Sequence, residues 1–370
     1  MSKLKVLELF GGIGACSKAL ERLEIDYEIA DYVEIDKYAV KSFNAIHNTN
    51  FEPQDICEWN KDIEVDLIMH GSPCQDFSLA GKQAGGDKHS GTRSSLMYET
   101  IRIVEKLKPK YVIWENVKNL LSKKHIHNFN AYLETMEQLG YKNYYQVLNA
   151  KDYGIPQNRE RVFTISIRND LNQIFIFPPK QELKLKLKDL LEENVEEKYY
   201  LSERMMNCFM SNGTGKYPRR ERFLQNINRK NQDIANAIIT TEGNKPTCNF
   251  IKVDETVKPS VAINFEREKE KIATTKKEIY QCECNSGWQD NKIGIKVTPT
   301  IRANNNNTFC LDGNWVIRKL TPKECWRLMG FDDEDYEKAS KVNSNTQLYK
   351  QAGNSIVVNV LEAILTNLLK

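Results

Sequence analysis

A chain of 370 residues, 40% hydrophobic and 28% charged, is long enough for a large domain and a smaller one, and it contains no apolar run of membrane-spanning length. Its net charge of +3 permits nucleic-acid binding without requiring it, so local clusters carry more weight. The nine cysteines are scattered, with Cys282 and Cys284 the one close pair. That spacing predicts neither disulfides nor a structural metal. Free thiols and a start without a secretory leader pattern imply a reducing, cytoplasmic setting.

Leu4–Leu9 reads as a first strand, followed by Phe10-Gly11-Gly12-Ile13-Gly14-Ala15 and a helical pattern over Ser17–Leu23. Strand, glycine-rich turn and helix is an arrangement that cradles nucleotides, because glycine lets the backbone approach a ligand. The glycine spacing is not the dinucleotide fingerprint. A second strand, Tyr27–Val33, ends at Glu34. An acidic side chain about twenty residues past such a loop holds ribose hydroxyls, the alternative being a solvated strand-end charge. No Lys or Arg accompanies the loop. A cofactor with adenosine and no phosphates, such as S-adenosylmethionine, is favoured. Asp55 can accept from an adenine amino group, and Ile56 can pack on its face.

Val65–Met69 is a short apolar run of buried-strand type, and Gly71-Ser72-Pro73-Cys74-Gln75-Asp76-Phe77-Ser78 follows it. A thiolate is a strong nucleophile, so a cysteine presented at the carboxyl end of a parallel strand is a candidate for covalent catalysis. A lone cysteine is otherwise a small buried hydrophobe. The next stretch is basic and glycine-rich, with Ser78, Lys82, Lys88 and Arg93, as expected of a lid closing on a phosphate backbone. A helix is predicted over Leu96–Leu107. In Lys110–Val117, four residues of strand character end in the carboxylate of Glu115. The segment Glu8–Gly14, Glu34, Cys74 and Glu115 therefore all fall at carboxyl ends of predicted parallel strands, which share one edge in a doubly wound sheet.

A helix over Asn128–Leu139, a strand over Tyr144–Leu148 and a turn over Asp152–Pro156 lead to Gln157-Asn158-Arg159-Glu160-Arg161 and the strand Val162–Ile167. Two arginines at i and i+2 of an extended segment point the same way and can face one site. Composition changes after Phe177-Pro178-Pro179, and the chain to residue 316 is polar. Within it, Gly213–Arg222 interleaves Lys216, Arg219, Arg220 and Arg222 with Tyr217 and glycines, a pattern suited to phosphate and groove contacts. Ala237–Thr241 and Pro299–Ala303 echo one another weakly. Thr321-Pro322-Lys323-Glu324 opens a helix that Gly330 ends. Gln351–Val360 enters an apolar helix through Leu369.

Taken in order, Phe10–Gly14, Glu34, Asp55-Ile56, Gly71–Gln75, Glu115-Asn116-Val117, Gln157–Val162, Leu320–Phe331 and Gln351–Ser355 resemble the ordered motif set of the cytosine-C5 DNA methyltransferases of bacterial or phage type. Ala15 stands where many members have glycine. The resemblance implies an α/β fold with a doubly wound, mostly parallel sheet and a smaller irregular target-recognition domain. Residues 1–178 plus 317–370 would form the catalytic and cofactor-binding domain, and 179–316 would read the target. The implied reaction is methyl transfer from S-adenosylmethionine to C5 of a flipped cytosine in a specific duplex sequence, with Cys74 bonded to C6.

The implied catalytic residues are Cys74, Glu115, Arg159 and Arg161. Those implied for the cofactor are Phe10, Gly12, Gly14, Glu34, Ile35, Asp55, Ile56, Pro73, Leu96, Asn354 and Ser355. DNA contacts are expected at Ser78, Lys82, Arg93, Lys216, Arg219, Arg220 and Arg222. The implied partner is double-stranded DNA, with no membrane, a monomeric enzyme and functional pairing with a restriction endonuclease.

Overall fold

The structure is a computed structural model and describes residues 3–73, 93–202, 205, 223, 233–240, 242, 248–254, 301–302, 308–309 and 315–370. Its chain divides into two compact units, one of Met1–Leu191, Lys230–Asn244 and Pro322–Lys370, the other of Glu192–Arg229 and Lys245–Thr321. Residues 230–244 thus belong to the first unit, inside a region that composition alone assigns to the second.

The first unit is built on a six-stranded sheet. Its strands are β1 (Leu4–Leu9), β2 (Tyr27–Val33), β3 (Leu67–His70), β4 (Tyr111–Val117), β5 (Tyr141–Asn149) and β7 (Glu160–Arg168), in the order β2-β1-β3-β4-β7-β5. The short β6 (Gln157–Asn158) lies outside this sheet. The pairs β1–β2, β1–β3 and β3–β4 are parallel, whereas β7 runs antiparallel between β4 and β5. The sheet is therefore mostly parallel. Its strand order reverses beside β1, so the loops after β1 and β3 open a crevice at their carboxyl ends.

Central strands covered on both faces need apolar residues on both, and β1 shows this with Val6, Leu7 and Leu9 all buried. Leu7, Leu9, Ile68, Val112 and Trp114 join one core with helices α3 (Met97–Leu107) and α4 (Ile126–Gln138), through Ile103, Val104, Phe129, Tyr132 and Met136. The helix α1 (Ala15–Arg22) packs with the C-terminal helix, Val358–Leu368. Arg22 Nη1 there donates to Glu362 Oε1 at 3.3 Å. The helix α2 is Lys37–His47. Among the described residues, no helix is long and apolar enough to cross a membrane.

The C-terminal part differs from the sequence expectation. Helix α5 (Pro322–Arg327) is followed by α6 (Asp333–Ser340), α7 (Asn345–Asn354) and α8 (Val358–Leu368). Gly330 has φ +84, so it ends the first of these in a conformation that favours glycine. Gln351–Asn354 is the end of a helix rather than the start of one, and an extended link, Ser355–Val357, separates it from α8. In the second unit, β8 (Phe250–Asp254) pairs antiparallel with β9 (Trp315–Lys319). Phe223 packs edge-on against Phe250 there, at 5.2 Å between ring centroids.

Candidate active site

The glycine loop is shaped by three positive φ angles, at Phe10 (53°), Gly12 (57°) and Gly14 (81°). Gly14 is the N-cap of α1, where any Cβ would strike the His47 ring. A Cβ on Gly11 would lie 2.6 Å from the Tyr32 ring, whose hydroxyl donates to Gly12 O at 2.6 Å. The loop is thus pressed onto the side chains beneath it.

Glu34 closes the loop from the next strand. Its Oε2 accepts from Gly12 N–H at 3.2 Å and its Oε1 from Asp36 N–H at 2.8 Å. Burial pushes its carboxyl above the usual range, against those two hydrogen bonds. Ile35 beside it is 68% exposed, an apolar side chain left open to solvent at the site edge. Asp55 caps a tight turn, its Oδ1 accepting from Cys57 N–H at 2.9 Å, and Ile56 is buried in the core. Leu96 ends the 3-10 turn Arg93–Leu96 and packs partly buried on that core.

Beneath the loop lies a residue that the sequence does not single out for a role of its own. Glu8 on β1 is buried and accepts from Ser17 N–H at 3.0 Å and from the Ser17 hydroxyl, and burial pushes its carboxyl up to about 7. It lines a small pocket together with Phe10, Gly11, Gly12, Gly71, Glu115, Asn354 and Ser355.

Glu115 lies within β4, not at its end, because β7 extends the strand by pairing Val117 with Arg161. Its buried Oε1 meets Arg161 Nε at 3.0 Å. Burial raises the Glu115 carboxyl, and the charges of Arg161 and Arg159 oppose that shift. A Cβ on Gly71 would sit 3.8 Å from Glu115 Oε2, so this carboxylate borders the chain leaving β3. Two neighbours of Glu115 hold that exit. Trp114 Nε1 donates to Ser72 Oγ at 2.9 Å, and Asn116 Nδ2 donates to Ser72 O at 3.3 Å. Pro73 ends the described stretch there.

Arg159 and Arg161 take different partners. The buried Arg159 guanidinium donates to Ile238 O at 3.0 Å, Gly353 O at 3.1 Å and Ser355 O at 2.8 Å. Asn354 is exposed at the end of α7, and Ser355 is buried behind it. The structure therefore gathers Phe10, Gly12, Glu115, Asn354 and Ser355 around one space, with Glu34 bonded to its loop. Cys74, Ser78, Lys82, Lys216, Arg219, Arg220 and Arg222 lie outside the described residues, and Arg93 opens a 3-10 turn. Trp114, Gln157 and Gly353 make contacts to distant segments, with Ser72, Ile238 and Thr240, whose partners no local pattern signals.

An α/β sheet of this order, with a glycine loop after β1 and an acidic residue after β2, has the fold of S-adenosylmethionine-dependent methyltransferases. Solved structures agree. A DNMT2 of Spodoptera frugiperda matches with a TM-score of 0.65 at 21% identity over all of both chains. The Entamoeba histolytica methyltransferase EhMeth matches at 0.67 and 17%, over 100% of this chain and 98% of the other.

The sequence model described as C-5 cytosine-specific DNA methylase matches residues 4–370. The Type II methyltransferase M2.ScrFI of Lactococcus lactis subsp. cremoris is 35% identical over 99% of each chain. The orphan methyltransferase M.SPRI of Bacillus phage SPR is 34% identical over 100% of this chain and 98% of its own. M.HhaI of Haemophilus parahaemolyticus, a Type II methyltransferase, is 32% identical over 100% and 95%. The chain belongs to the C-5 cytosine-specific DNA methylase family and is a DNA (cytosine-5-)-methyltransferase.

Proposed function

We propose that this enzyme methylates a cytosine flipped out of a specific duplex sequence, taking the methyl group from S-adenosylmethionine and working through a covalent bond from Cys74 to C6. The observation that carries the reading is the Glu115–Arg161 pair at the exit of β3, three residues from the cysteine. A base stacked in a duplex shields C6, so extrusion precedes the chemistry.

The cofactor fits the residues present. Glu34 offers carboxylate oxygens beside Gly12, Ile35 offers exposed apolar surface, and the loop offers main chain without a phosphate-binding cation. Glu34 would hold the ribose hydroxyls, Asp55 and Ile56 the adenine, and Phe10, Gly12, Gly14, Pro73, Leu96, Asn354 and Ser355 the remainder. Bound there, S-adenosylmethionine supplies an electrophilic methyl group to C5.

The protein's own groups prepare the base. The Cys74 thiolate adds to C6, and the electron pair of the 5,6 double bond moves toward N3 and O2. Glu115, whose carboxyl burial pushes upward, takes the proton-donor role toward N3, and Arg161 donates to O2. C5 becomes enamine-like and accepts the methyl group. Loss of the C5 proton to a base returns an electron pair to the ring, restores the double bond, expels the thiolate and gives the N3 proton back to Glu115. Residues 179–316 choose the sequence, with Lys216, Arg219, Arg220 and Arg222 on phosphates or base edges and Ser78, Lys82 and Arg93 on the backbone near the nucleophile. The enzyme acts as a monomer in the cytoplasm and pairs with a restriction endonuclease of the same target.

The deciding experiment replaces target cytosine with 5-fluorocytosine, whose fluorine cannot leave as a cation. With S-adenosylmethionine present, enzyme and DNA should remain linked through denaturation, and peptide mapping should place the base on Cys74. Adduct on another cysteine, or full yield from Cys74→Ser, overturns the assignment.

A further inference from the structure

Residues 230–244 pack with the first compact unit, although the chain on both sides of them, 192–229 and 245–321, belongs to the second. Within this segment, Ala235 and Asn236 pair in parallel with Gln157 and Asn158. Ile238 is then gripped on both of its main-chain groups by side chains. Gln157 Oε1 accepts from Ile238 N–H at 3.0 Å, and Arg159 Nη1 donates to Ile238 O at 3.0 Å. Gln157 is itself anchored, its Nε2 donating to Leu328 O at 2.6 Å. The other amino group of Arg159 reaches Gly353 O and Ser355 O.

The contact is close as well as polar. A Cβ on Gly353 would lie 2.4 Å from Thr240 N and 2.5 Å from Ile239 C, both main-chain atoms. No positive φ demands glycine at 353, so the requirement is for space. On the other side of this contact, Asn354, Ser355 and Ile356 line the cavity below the glycine loop.

We propose that Gln157 and Arg159 are positioning residues that make Ile238–Thr240 the outer layer of the cofactor wall, so that cofactor binding and DNA binding are coupled through the Arg159 guanidinium. The inference rests on the reading that S-adenosylmethionine occupies this cavity. A guanidinium is a planar fork with fixed donor directions, and burial makes each lost acceptor costly. A shift of the Ser355 carbonyl therefore moves Arg159, and Arg159 moves Ile238. Ile238 lies on a segment whose two chain exits both lead into the unit made from the polar, target-choosing region. Coupling of this kind is reciprocal: whatever factor the cofactor adds to DNA affinity, DNA adds to cofactor affinity.

The test measures the dissociation constant of target DNA with and without saturating S-adenosylhomocysteine, in the wild type, Arg159→Lys and Gly353→Ala. The wild type should bind DNA about tenfold more tightly with S-adenosylhomocysteine, within the usual range for coupled sites. In both variants the ratio should fall toward one. Arg159→Lys removes bonds and Gly353→Ala pushes the segment away, so a merely local loss of stability would not move the same ratio in both. Deuterium exchange on wild-type enzyme gives a result that no unfolded variant can obscure: S-adenosylhomocysteine should slow exchange at the Ile238 amide. Unchanged exchange there, or wild-type ratios in both variants, overturns the proposal. Failure of S-adenosylhomocysteine to bind at all, measured by calorimetry, instead removes the cofactor reading on which it rests.

Discussion

Arg161 Nε meets Glu115 Oε1 at 3.0 Å across the antiparallel β4–β7 pair. The arrangement poises a proton. Burial raises the Glu115 carboxyl above its ordinary range, and the two nearby arginines oppose that shift.

That balance sets a pH dependence. The working form in the proposed mechanism is the protonated acid, so the rate should fall as pH rises through the Glu115 pKa. Arg161→Gln removes the leading charge that lowers this pKa. Its alkaline limb in single-turnover rate should therefore shift to higher pH, even as the rate itself declines. Glu115→Gln should lose the limb, with the rate down by about 10²–10⁴-fold and DNA still bound. An Arg161→Gln limb displaced to lower pH would contradict the acid role.

Glu34 uses one lone pair on each oxygen for main-chain N–H groups and keeps others for a ligand. Glu34→Ala should weaken S-adenosylmethionine binding by about 1–3 kcal/mol, as expected for hydrogen bonds to a charged group. Calorimetry on folded variant is the check, and wild-type affinity would reject the ribose assignment.

The parts of this site that are legible in the sequence are local. β1 and β2 follow from short apolar runs, and the loop between them from its glycines. Glu34 and Glu115 are identified by where such runs stop, although pairing with β7 carries β4 two residues past Glu115. Contacts across long separations leave no such trace. The Trp114–Ser72 bond spans 42 residues and the Gln157–Ile238 bond 81. Helix α7 escapes a periodicity reading because Asn345–Asn354 is mostly polar and contains Gly353. Polar Gln351 is buried, with Oε1 accepting from Ser42 Oγ and Nε2 donating to Tyr38 O, which no hydrophobic pattern signals.

Glu8 predicts a pH-dependent stability. Its carboxyl rises from 4.5 to about 7 on folding, burial outweighing the bonds from Ser17. Below pH 4.5 both folded and unfolded chains carry the proton, and the group contributes no difference. Between these values only the native state keeps the proton, so stability falls as pH rises, levelling above the folded value at a loss of about 3 kcal/mol. Glu8→Gln retains an acceptor for Ser17 and cannot ionise. Its stability relative to wild type should grow by that amount between acid and mildly alkaline pH in urea titrations. His47 and His70, held by burial down to about 4 and about 3, titrate with the opposite sign but equally in both proteins. Parallel stability profiles would show that Glu8 is not the group responsible.

Ser72 predicts how the proposed nucleophile is set. It stands two residues before Cys74, with its hydroxyl accepting from Trp114 and its carbonyl from Asn116. Trp114 is buried, stacked on His70 with 5° between planes and packed at 4.1 Å between centroids on Tyr132. A donor packed in this way fixes the chain that it holds. Ser72→Ala leaves a buried indole N–H without its acceptor, at a cost of about 1–3 kcal/mol, and releases one of two anchors on the loop. The rate of adduct formation with 5-fluorocytosine DNA should fall about tenfold, the equivalent of one such hydrogen bond lost from the transition state. DNA affinity should stay near wild type. Ser72→Thr keeps the hydroxyl and should recover most of the rate. A purely structural serine would instead lower the melting temperature and leave the adduct rate alone. Wild-type adduct kinetics in folded Ser72→Ala would refute the anchoring role.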